Sequence, residues 1–291
     1  MRIALLACIF SVFALPAFAA PPDPTIWRQL DPENTLYIET SKGLVVVEMY
    51  PEIAPGHVQR VKELAREKFY DGLIFHRVIE NFMAQTGDPK GTGEGGSAKA
   101  DIAGEFLFRR GADMPFVEAA VQGGGRLGFY KALPIATQPD EMMALTRDGK
   151  AAAWGLHCPG IASMARTGDP NSANSQFFLM RGSYPSLDKR YTIWGRVVWN
   201  EEAVKSIAVG EPPISPDMVK SIKVAADALP EDRAPIYVMR SDSTPFRELL
   251  DDVRKSKRAD FSVCDVQVPV RVPRDEPQKG RKWWRVIPLI P

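Results

Sequence analysis

The sequence predicts a mainly β protein that carries a small α/β segment at its C-terminal end. Between residues 36 and 49, apolar side chains recur with a period of two on both sides of a polar turn at 41–43, which is typical of a β-hairpin. Beyond residue 225 the pattern changes, and apolar side chains from 246 to 253 repeat at helical spacing. A composition of 45% hydrophobic and 25% charged residues is that of an average globular protein.

Residues 1–19 have the pattern of a secretory signal peptide. A positive start at Arg2 precedes an apolar run at 3–13, and small residues flank a central Phe in the cleavage site at 17–19. The run is too short to span a hydrocarbon core of ~30 Å, and the alternative is a buried first helix. Cleavage near Ala19 removes Arg2 and no acid, so the basic residues that remain equal the 36 acidic ones. We expect a periplasmic or secreted protein, because the signal has bacterial length.

The elements of the central part follow from periodicity. Residues 20–34 are rich in proline and predict an extended leader. Pro55 suits the first turn of a helix, because apolar residues follow it at helical spacing. The glycine-rich stretch 90–99 predicts a loop, and 107–157 shows no regular period. Further strands are predicted at 74–83, 160–164, 176–180, 192–199 and 219–225.

The C-terminal part predicts a short strand, a helix and a long strand. Residues 236–239 suit the short strand. Thr244 suits an N-cap, because Pro245 follows it at the first helical position. Residues 261–272 alternate in polarity with one phase slip at 264–265, which predicts a long strand with a bulge.

Charge and residue counts exclude several classes of function. A net charge of +1 argues against a protein that binds the phosphate backbone of nucleic acid. Three His and three Cys make a multi-ligand zinc site hard to assemble. No later run reaches about 18 apolar residues, so stable membrane insertion is not expected. In an oxidising compartment Cys158 and Cys264 could form a disulfide, and two buried thiols are the alternative.

Two segments place polar side chains among aromatic ones. Arg77 and Gln85 are eight residues apart, and on one extended strand this even spacing would put both on the same face. A second cluster at 163–166 and 174–179 adds serine, arginine and amide groups beside aromatic rings. No Ser/His/Asp order or paired carboxylate is evident, so hydrolysis is not favoured. The set suits a shallow apolar pocket with a few hydrogen-bond donors.

These two segments resemble the signature stretches of the cyclophilin family of peptidyl-prolyl cis-trans isomerases. The matching strings are Phe-His-Arg-Val-Ile-Glu-Asn-Phe-Met-Ala-Gln-Thr-Gly-Asp at 75–88, Ser-Met-Ala at 163–165 and Ser-Gln-Phe-Phe at 175–178. The match covers about 35–106 and 158–225. Several strings in the right order are far more specific than any one of them alone.

The resemblance implies the fold and the division of the chain. It implies an eight-stranded antiparallel β-barrel capped by helices, the isomerase domain, over 35–225. That domain contains a long insert at about 107–157, because the compact family needs fewer residues between the two stretches. The signal peptide at 1–19 and the leader at 20–34 precede it, and a C-terminal α/β extension at 226–291 follows it.

The same resemblance implies an enzyme that isomerises X–Pro bonds of proline-containing polypeptides during the folding of exported proteins, without a cofactor or metal. Arg77 would hydrogen-bond the prolyl nitrogen, and Gln85 would hold the neighbouring carbonyl. Ser186 stands where many relatives carry a tryptophan that helps bind cyclosporin, so weak cyclosporin binding is expected. The other implied substrate-binding residues are Phe82, Met83, Phe178 and Leu187 in the proline pocket, Gln176 with the backbone of Ala165 and Arg166 for peptide alignment, and Tyr191 at the pocket edge.

The residues alone leave other interpretations open. A peptide-binding chaperone or scaffold could keep the fold without turnover. Arg77 could be a surface ion-pair residue, and Gln85 and Gln176 could satisfy backbone groups beside ordinary core aromatics. A secreted zinc or nucleotide enzyme would need ligands that the sequence does not show, since no helix start follows the glycine-rich stretch 91–96.

Overall fold

The computed structural model describes residues 21–229, 233 and 235–272, whose strands form three sheets of antiparallel pairs. The signal peptide predicted at 1–19 and the final part of the predicted extension, 273–291, lie outside these residues. In chain order the elements are β1 (Trp27–Gln29), β2 (Thr35–Thr40), β3 (Gly43–Met49), α1 (Pro55–Arg66), β4 (Arg77–Ile79), β5 (Met83–Thr86), β6 (Phe108–Arg110), β7 (Val117–Gln122), β8 (Gly125–Tyr130), β9 (Leu133–Thr137), β10 (Ala151–Gly155), β11 (Ile161–Met164), β12 (Phe177–Met180), β13 (Ile193–Trp199), α2 (Glu201–Lys205), β14 (Val219–Val224), β15 (Tyr237–Met239), α3 (Thr244–Lys257) and β16 (Val270–Arg271).

The largest sheet has eight strands in the order β14, β2, β3, β13, β11, β12, β5 and β4. Its two ends meet through backbone hydrogen bonds, from Phe75 N to Asp217 O at 2.9 Å and from Val78 N to Gly210 O at 2.8 Å. The sheet therefore curls on itself into a barrel-like structure. The mainly β fold class predicted from the sequence is confirmed.

Helix α1 covers one end of this sheet, as its spacing predicts. Pro55 occupies the first turn, where a missing N–H costs nothing. Val58, Val61 and Leu64 are buried in the core inside the curled sheet, together with Trp194. Burying each of these aliphatic side chains contributes roughly 1.5–3 kcal/mol. The packing of α1 therefore stabilises both the helix and the curled sheet.

The segment 107–157, which shows no regular period in the sequence, contains a second sheet. Its five strands follow the order β6, β10, β9, β8 and β7. Strand β9 is buried along its whole length, and β8 holds two glycines, so neither alternates visibly between apolar and polar residues. The turns between the strands lie at Gly123-Gly124 and at Lys131, all with positive φ. The polarity pattern fails here because the central strand β9 is buried on both faces and its neighbour β10 is rich in alanine.

The leader predicted at 20–34 is built into the fold over residues 27–34, so that expectation is wrong there. Trp27 in β1 pairs with Met239 in β15, and β16 completes a three-stranded sheet. Leu30 is buried, and the Asp31 carboxylate accepts a hydrogen bond from Glu33 N to cap a short turn. Apolar residues spaced between the prolines give this stretch enough surface to bury.

The long strand predicted at 261–272 is also wrong, because only Val270–Arg271 pairs as a strand. Residues 263–265 instead form one turn of 3-10 helix, closed by a reciprocal pair of hydrogen bonds between Ser262 and Asp265. Local side-chain hydrogen bonds of this kind compete with a strand ladder. The predicted phase slip marks this turn rather than a bulge.

Cys158 and Cys264 form a disulfide, which decides between the two alternatives left open by the sequence. Their Cα atoms are 5.1 Å apart, and 106 positions separate them in the chain. Helix α3 packs beside this link, with the ring of Phe246 edge-on to Phe129 of β8 at a centroid distance of 5.3 Å. Residues 244–264 are therefore fixed to the five-stranded sheet through Phe246 and to the segment before β11 through Cys264.

Helix α3 begins at Thr244, one residue earlier than expected, because its N-cap is Ser243 and not Thr244. The Ser243 Oγ accepts a hydrogen bond from Phe246 N. We expect Ser243→Ala to lower the free energy of unfolding by about 1 kcal/mol, because one backbone donor loses its partner. Denaturant titration measures this. Ser256→Ala is the matched control, since that serine lies inside the helix and alanine has the higher helix propensity. Equal losses for both variants would contradict the capping role.

Candidate active site

An open pocket of about 120 Å³ lies on the outer surface of the barrel-like sheet, beside β4, β5 and β12. This volume is below the ~300–1,000 Å³ typical of sites that enclose a drug-sized ligand or cofactor. It suits a single side chain instead. The lining residues are Arg77, Phe82, Met83, Gln85, Ala165, Arg166, Phe178, Leu187 and Tyr191.

Arg77 and Gln85 share one face, but not for the reason that the spacing predicts. The segment is a hairpin rather than one strand, because Asn81 has a positive φ of 57° and the chain reverses there. Arg77 at the start of β4 is the direct register partner of Gln85 in β5. Residues paired across an antiparallel ladder project to the same side. The predicted shared face is right, and the predicted single strand is wrong.

Arg77 is held by a carboxylate that the sequence analysis missed. Its Nε donates to Glu211 Oε2 at 2.6 Å, and its guanidinium carbon lies 6.0 Å from the centroid of the Phe82 ring. The Arg77 side chain is 40% exposed, so a ligand can reach it. Glu211 arrives here because Val78 and Gly210 exchange two backbone hydrogen bonds. No spacing or motif in the sequence could have found this pair, which is 134 positions apart.

Gln85 is positioned by Gln176, which does not itself line the pocket. Gln85 Nε2 donates to Gln176 Oε1 at 2.8 Å. Gln176 Nε2 donates in turn to the carbonyls of Gly93 and Gly95 at 2.9 and 2.7 Å. The amide chain therefore ties Gln85 to the glycine-rich loop, and the predicted contact of Gln176 with a peptide stays a prediction.

The loop itself is organised by the Asp88 carboxylate, not by a phosphate. Burial raises the pKa of Asp88, but hydrogen bonds from the backbone of Lys90, Gly93 and Thr92 outweigh it, so that the pKa lies below its usual value. Burial also lowers the pKa of His76, next to Arg77, so its ring is neutral at pH 7. Neither side chain lines the pocket, so neither is placed to act there as a general base.

The apolar wall of the pocket is made by rings and a thioether. Met83 and Phe178 are almost fully buried, and the Phe178 ring meets Tyr191 edge-on at a centroid distance of 6.0 Å. The Phe82 ring packs on Tyr184 at 4.3 Å, a contact that the sequence analysis missed. Leu187 closes the wall from a short turn at Pro185–Leu187. These residues are preorganised, since each contacts another part of the wall.

Ala165 and Arg166 line the pocket, and some of their polar groups are already engaged. Ala165 N donates to Gln176 O at 2.9 Å, so this N–H is not free to align a peptide. Arg166 Nε donates to Arg190 O at 3.0 Å, and Arg166 Nη1 donates to Thr167 O at 2.8 Å. The guanidinium carbon lies 4.4 Å from the centroid of the Tyr191 ring. Arg166 is therefore a fixed cation at the pocket edge.

A Ser/His/Asp chain that the sequence order did not reveal lies behind the pocket. His157 Nδ1 is 2.9 Å from Asp188 Oδ1, and His157 Nε2 is 3.2 Å from Ser163 Oγ. Ser163 is fully buried, and its hydroxyl donates to Thr192 O at 2.9 Å. The hydroxyl cannot reach a bound substrate, so these residues support the wall under Phe178 rather than hydrolysis.

Over the ranges that the structure covers, no three or more His, Cys, Asp or Glu side chains are grouped so that they could hold a metal ion. Within the same ranges, no helix has the length and apolar character needed to cross a membrane. The predicted residues that do come together line a pocket of single-side-chain size, with Arg77 and Gln85 on one side and the apolar wall on the other.

Comparison with known proteins gives one family. The family model described as cyclophilin type peptidyl-prolyl cis-trans isomerase/CLD matches residues 35–224. A probable peptidyl-prolyl cis-trans isomerase of Brucella suis is 37% identical over 180 residues, which cover 62% of this chain and 74% of that protein. Human peptidyl-prolyl cis-trans isomerase-like 1 is 38% identical over 155 residues, which cover 52% of this chain and 85% of that protein.

A solved structure is also similar. The crystal structure of cyclophilin AquaCyp293 from Hirschia baltica has 39% sequence identity and a TM-score of 0.81, and the match covers 88% of this chain and 96% of that one. This coverage exceeds the length of the family match at 35–224, so the structural similarity extends beyond those residues.

Proposed function

We propose a catalytic mechanism and a cellular role for this chain, which belongs to the cyclophilin-type peptidyl-prolyl cis-trans isomerase family. Membership of this family makes it a peptidyl-prolyl cis-trans isomerase. The proposal is that the domain at 35–225 isomerises X–Pro bonds in exported proteins as they fold, with Arg77 stabilising the transition state. The observation that carries it is the pairing of Arg77 with Gln85 directly above an apolar pocket of single-residue size.

Isomerisation of an X–Pro bond requires the enzyme to bind the twisted amide selectively and requires little else. Rotation about an amide bond meets a barrier of ~18–20 kcal/mol because resonance must be broken, and no bond is made or cut. An enzyme therefore needs to bind the twisted amide better than either planar form. As resonance fails, the prolyl nitrogen regains a lone pair that can accept a hydrogen bond. The guanidinium of Arg77 carries several N–H donors and is partly exposed, so it can donate that bond.

The other pocket residues hold the substrate in place for this rotation. Met83, Phe178 and Phe82 give the proline ring an apolar wall that excludes water. The Gln85 amide uses one N–H for Gln176, and its second N–H can hold the carbonyl beside the proline. Fixing the ring and the carbonyl separately lets only the bond between them turn.

Glu211 should act as a positioning residue for Arg77 in this mechanism. We expect Glu211→Gln to lower kcat about two- to fivefold with little change in KM, because a partly exposed ion pair that orients the guanidinium is lost. Steady-state kinetics on an alanyl-prolyl peptide measure both constants. Glu248→Gln on α3 is the matched control for loss of one carboxylate. A higher kcat, or a change in KM alone, would contradict the positioning role.

The export role rests on two supports. The pattern of residues 1–19 is that of a signal peptide, and the bond between Cys158 and Cys264 is of a kind that persists in oxidising compartments. We propose a periplasmic or secreted protein with its mature start near residue 20. N-terminal sequencing of the protein from the producing cells tests this, and a chain that keeps residues 1–19 in the cytoplasm would contradict it.

The activity in this role is tested by the refolding of a disulfide-free protein that has a slow, proline-limited phase. We expect the protein to accelerate that phase, which otherwise takes tens of seconds. A peptide-binding chaperone without turnover would raise the yield and leave the rate of the slow phase unchanged. Weak cyclosporin binding belongs to the same proposal, because Ser186 is exposed beside Leu187 and offers no ring to a large apolar ligand.

A further inference from the structure

The charged residues that line the pocket are Arg77 and Arg166, and no carboxylate lines it. The two cations differ in their partners. Arg77 is neutralised by Glu211 at 2.6 Å. Among the described residues, no carboxylate forms an ion pair with Arg166, whose hydrogen bonds go to the carbonyls of Arg190 and Thr167. The pocket therefore keeps one positive charge that no carboxylate of the described residues balances by an ion pair.

Arg166 is held in place before any ligand arrives. Two of its nitrogens are engaged by backbone carbonyls, and its plane lies over the Tyr191 ring. Its third nitrogen, Nη2, has no hydrogen bond to a described residue. A guanidinium that is already ordered binds a carboxylate with little further loss of side-chain entropy. The Arg166 guanidinium is therefore preorganised to bind an anion.

The exposed charged residues next to Arg166, along the rim of the pocket, are also positive. Lys189 and Arg190 are exposed, and neither forms an ion pair within the described part of the chain. Lys189 Nζ lies 3.6 Å from the centroid of the Trp154 ring. Asp188 is turned inward, where it accepts hydrogen bonds from His157 N and lies against the imidazole. Asp169, the nearest acid after Arg166 in the chain, accepts from Asn171 N.

We infer that this site favours prolyl segments that carry an aspartate or glutamate beside the proline. The inference rests on the proposed function, because it names the substrate class of the same pocket. The Arg166 rim supplies charge attraction, while the apolar wall takes the proline ring. Charge pairs at partly exposed positions are modest, so we expect a preference of about three- to fivefold in kcat/KM.

The test compares peptides that differ only beside the proline. One peptide pair places glutamate or glutamine, its uncharged isostere, directly before the proline, and a second pair places it directly after. Each catalysed rate is divided by the uncatalysed rate of the same peptide. We expect the glutamate peptide to be preferred about three- to fivefold at low salt. The preference should shrink at about 1 M salt, where the Debye length falls to ~3 Å. Equal values for glutamate and glutamine in both positions would overturn the inference.

Variants assign the preference to Arg166. Arg166→Gln should bring the glutamate-to-glutamine ratio to one, whatever its general activity, and Arg166→Lys should retain part of it. Lys220→Gln, an exposed charge change on β14, should leave the ratio as in the wild type. A ratio that survives in Arg166→Gln would overturn the assignment.

Binding of the same peptides is measured by titration, so that this inference and the proposed function fail separately. Turnover of all peptides without a glutamate preference would contradict the inference and keep the function. Tighter binding of the glutamate peptide without turnover would keep the inference and contradict the proposed function. Binding that does not distinguish the two peptides would overturn the inference even in the absence of turnover.

Discussion

Replacing Arg77 by alanine is expected to lower kcat/KM for an alanyl-prolyl peptide by about 10²–10³-fold, the usual cost of removing one donor aimed at a transition state. The physical reason is that only the twisted amide presents a lone pair on nitrogen, so the lost hydrogen bond is one that the ground state does not make. The apolar wall of Phe82, Met83 and Phe178 remains. Binding of the peptide should therefore weaken far less than the rate falls.

The expected loss is separable from damage to the fold. The Arg77 side chain is 40% exposed, and its ion-pair partner Glu211 is exposed as well. The free energy of unfolding should therefore change by no more than about 0.5 kcal/mol. Arg109→Ala is the matched control, since Arg109 is an exposed arginine that pairs with Asp148 on the five-stranded sheet. A rate for Arg77→Ala equal to that of Arg109→Ala would contradict the role of Arg77.

Removing the disulfide is expected to have the largest effect on stability. Cys264→Ser should lower the free energy of unfolding by about 2–4 kcal/mol, because the link closes a long loop and its loss frees the unfolded chain. The two cysteines are 106 positions apart, so this loop includes Phe178 and Leu187 of the pocket wall. Cys264 is the better site for the change, because Cys158 is almost fully buried and a serine there would add an unpaired hydroxyl.

Chemical reduction provides the control for that variant. Reductant should bring the denaturation midpoint of the wild type down to that of Cys264→Ser, and it should leave the variant unchanged. Helix α3 is expected to loosen first, because it is then held against the five-stranded sheet by the packing of Phe246 and Leu250 and by the hydrogen bonds from Arg254 to β7, without a covalent link. A wild-type midpoint that does not respond to reductant would contradict the contribution of the bond.

The sequence predicts those parts of the fold that are local. The β2–β3 hairpin and helix α1 follow from their periods, because each directs one regularly spaced set of apolar side chains into the core inside the curled sheet. The pocket residues follow from the two signature stretches, which β5, β11 and β12 bring side by side. The face shared by Arg77 and Gln85 was predicted correctly through a wrong local structure, because a hairpin and an extended strand both satisfy an even spacing.

The parts that escape prediction depend on contacts between distant segments. Glu211 meets Arg77 only because the sheet closes at Val78 and Gly210. The five-stranded sheet is hidden because β9 is buried on both faces and its neighbours are rich in small residues. Residues within 27–34 pair with β15, which lies about 200 positions later in the chain. A local sequence pattern cannot predict such a contact.

The central claim is that Arg77 and its pocket turn over X–Pro bonds rather than only bind them. Exchange NMR on an alanyl-prolyl peptide with a substoichiometric amount of the protein tests this most directly, because cis and trans resonances are resolved at equilibrium. We predict exchange cross-peaks within a mixing time far shorter than the tens of seconds of the uncatalysed reaction, lost in Arg77→Ala. Shifted peptide resonances that show binding, with cis-trans exchange no faster than in free peptide, would contradict it.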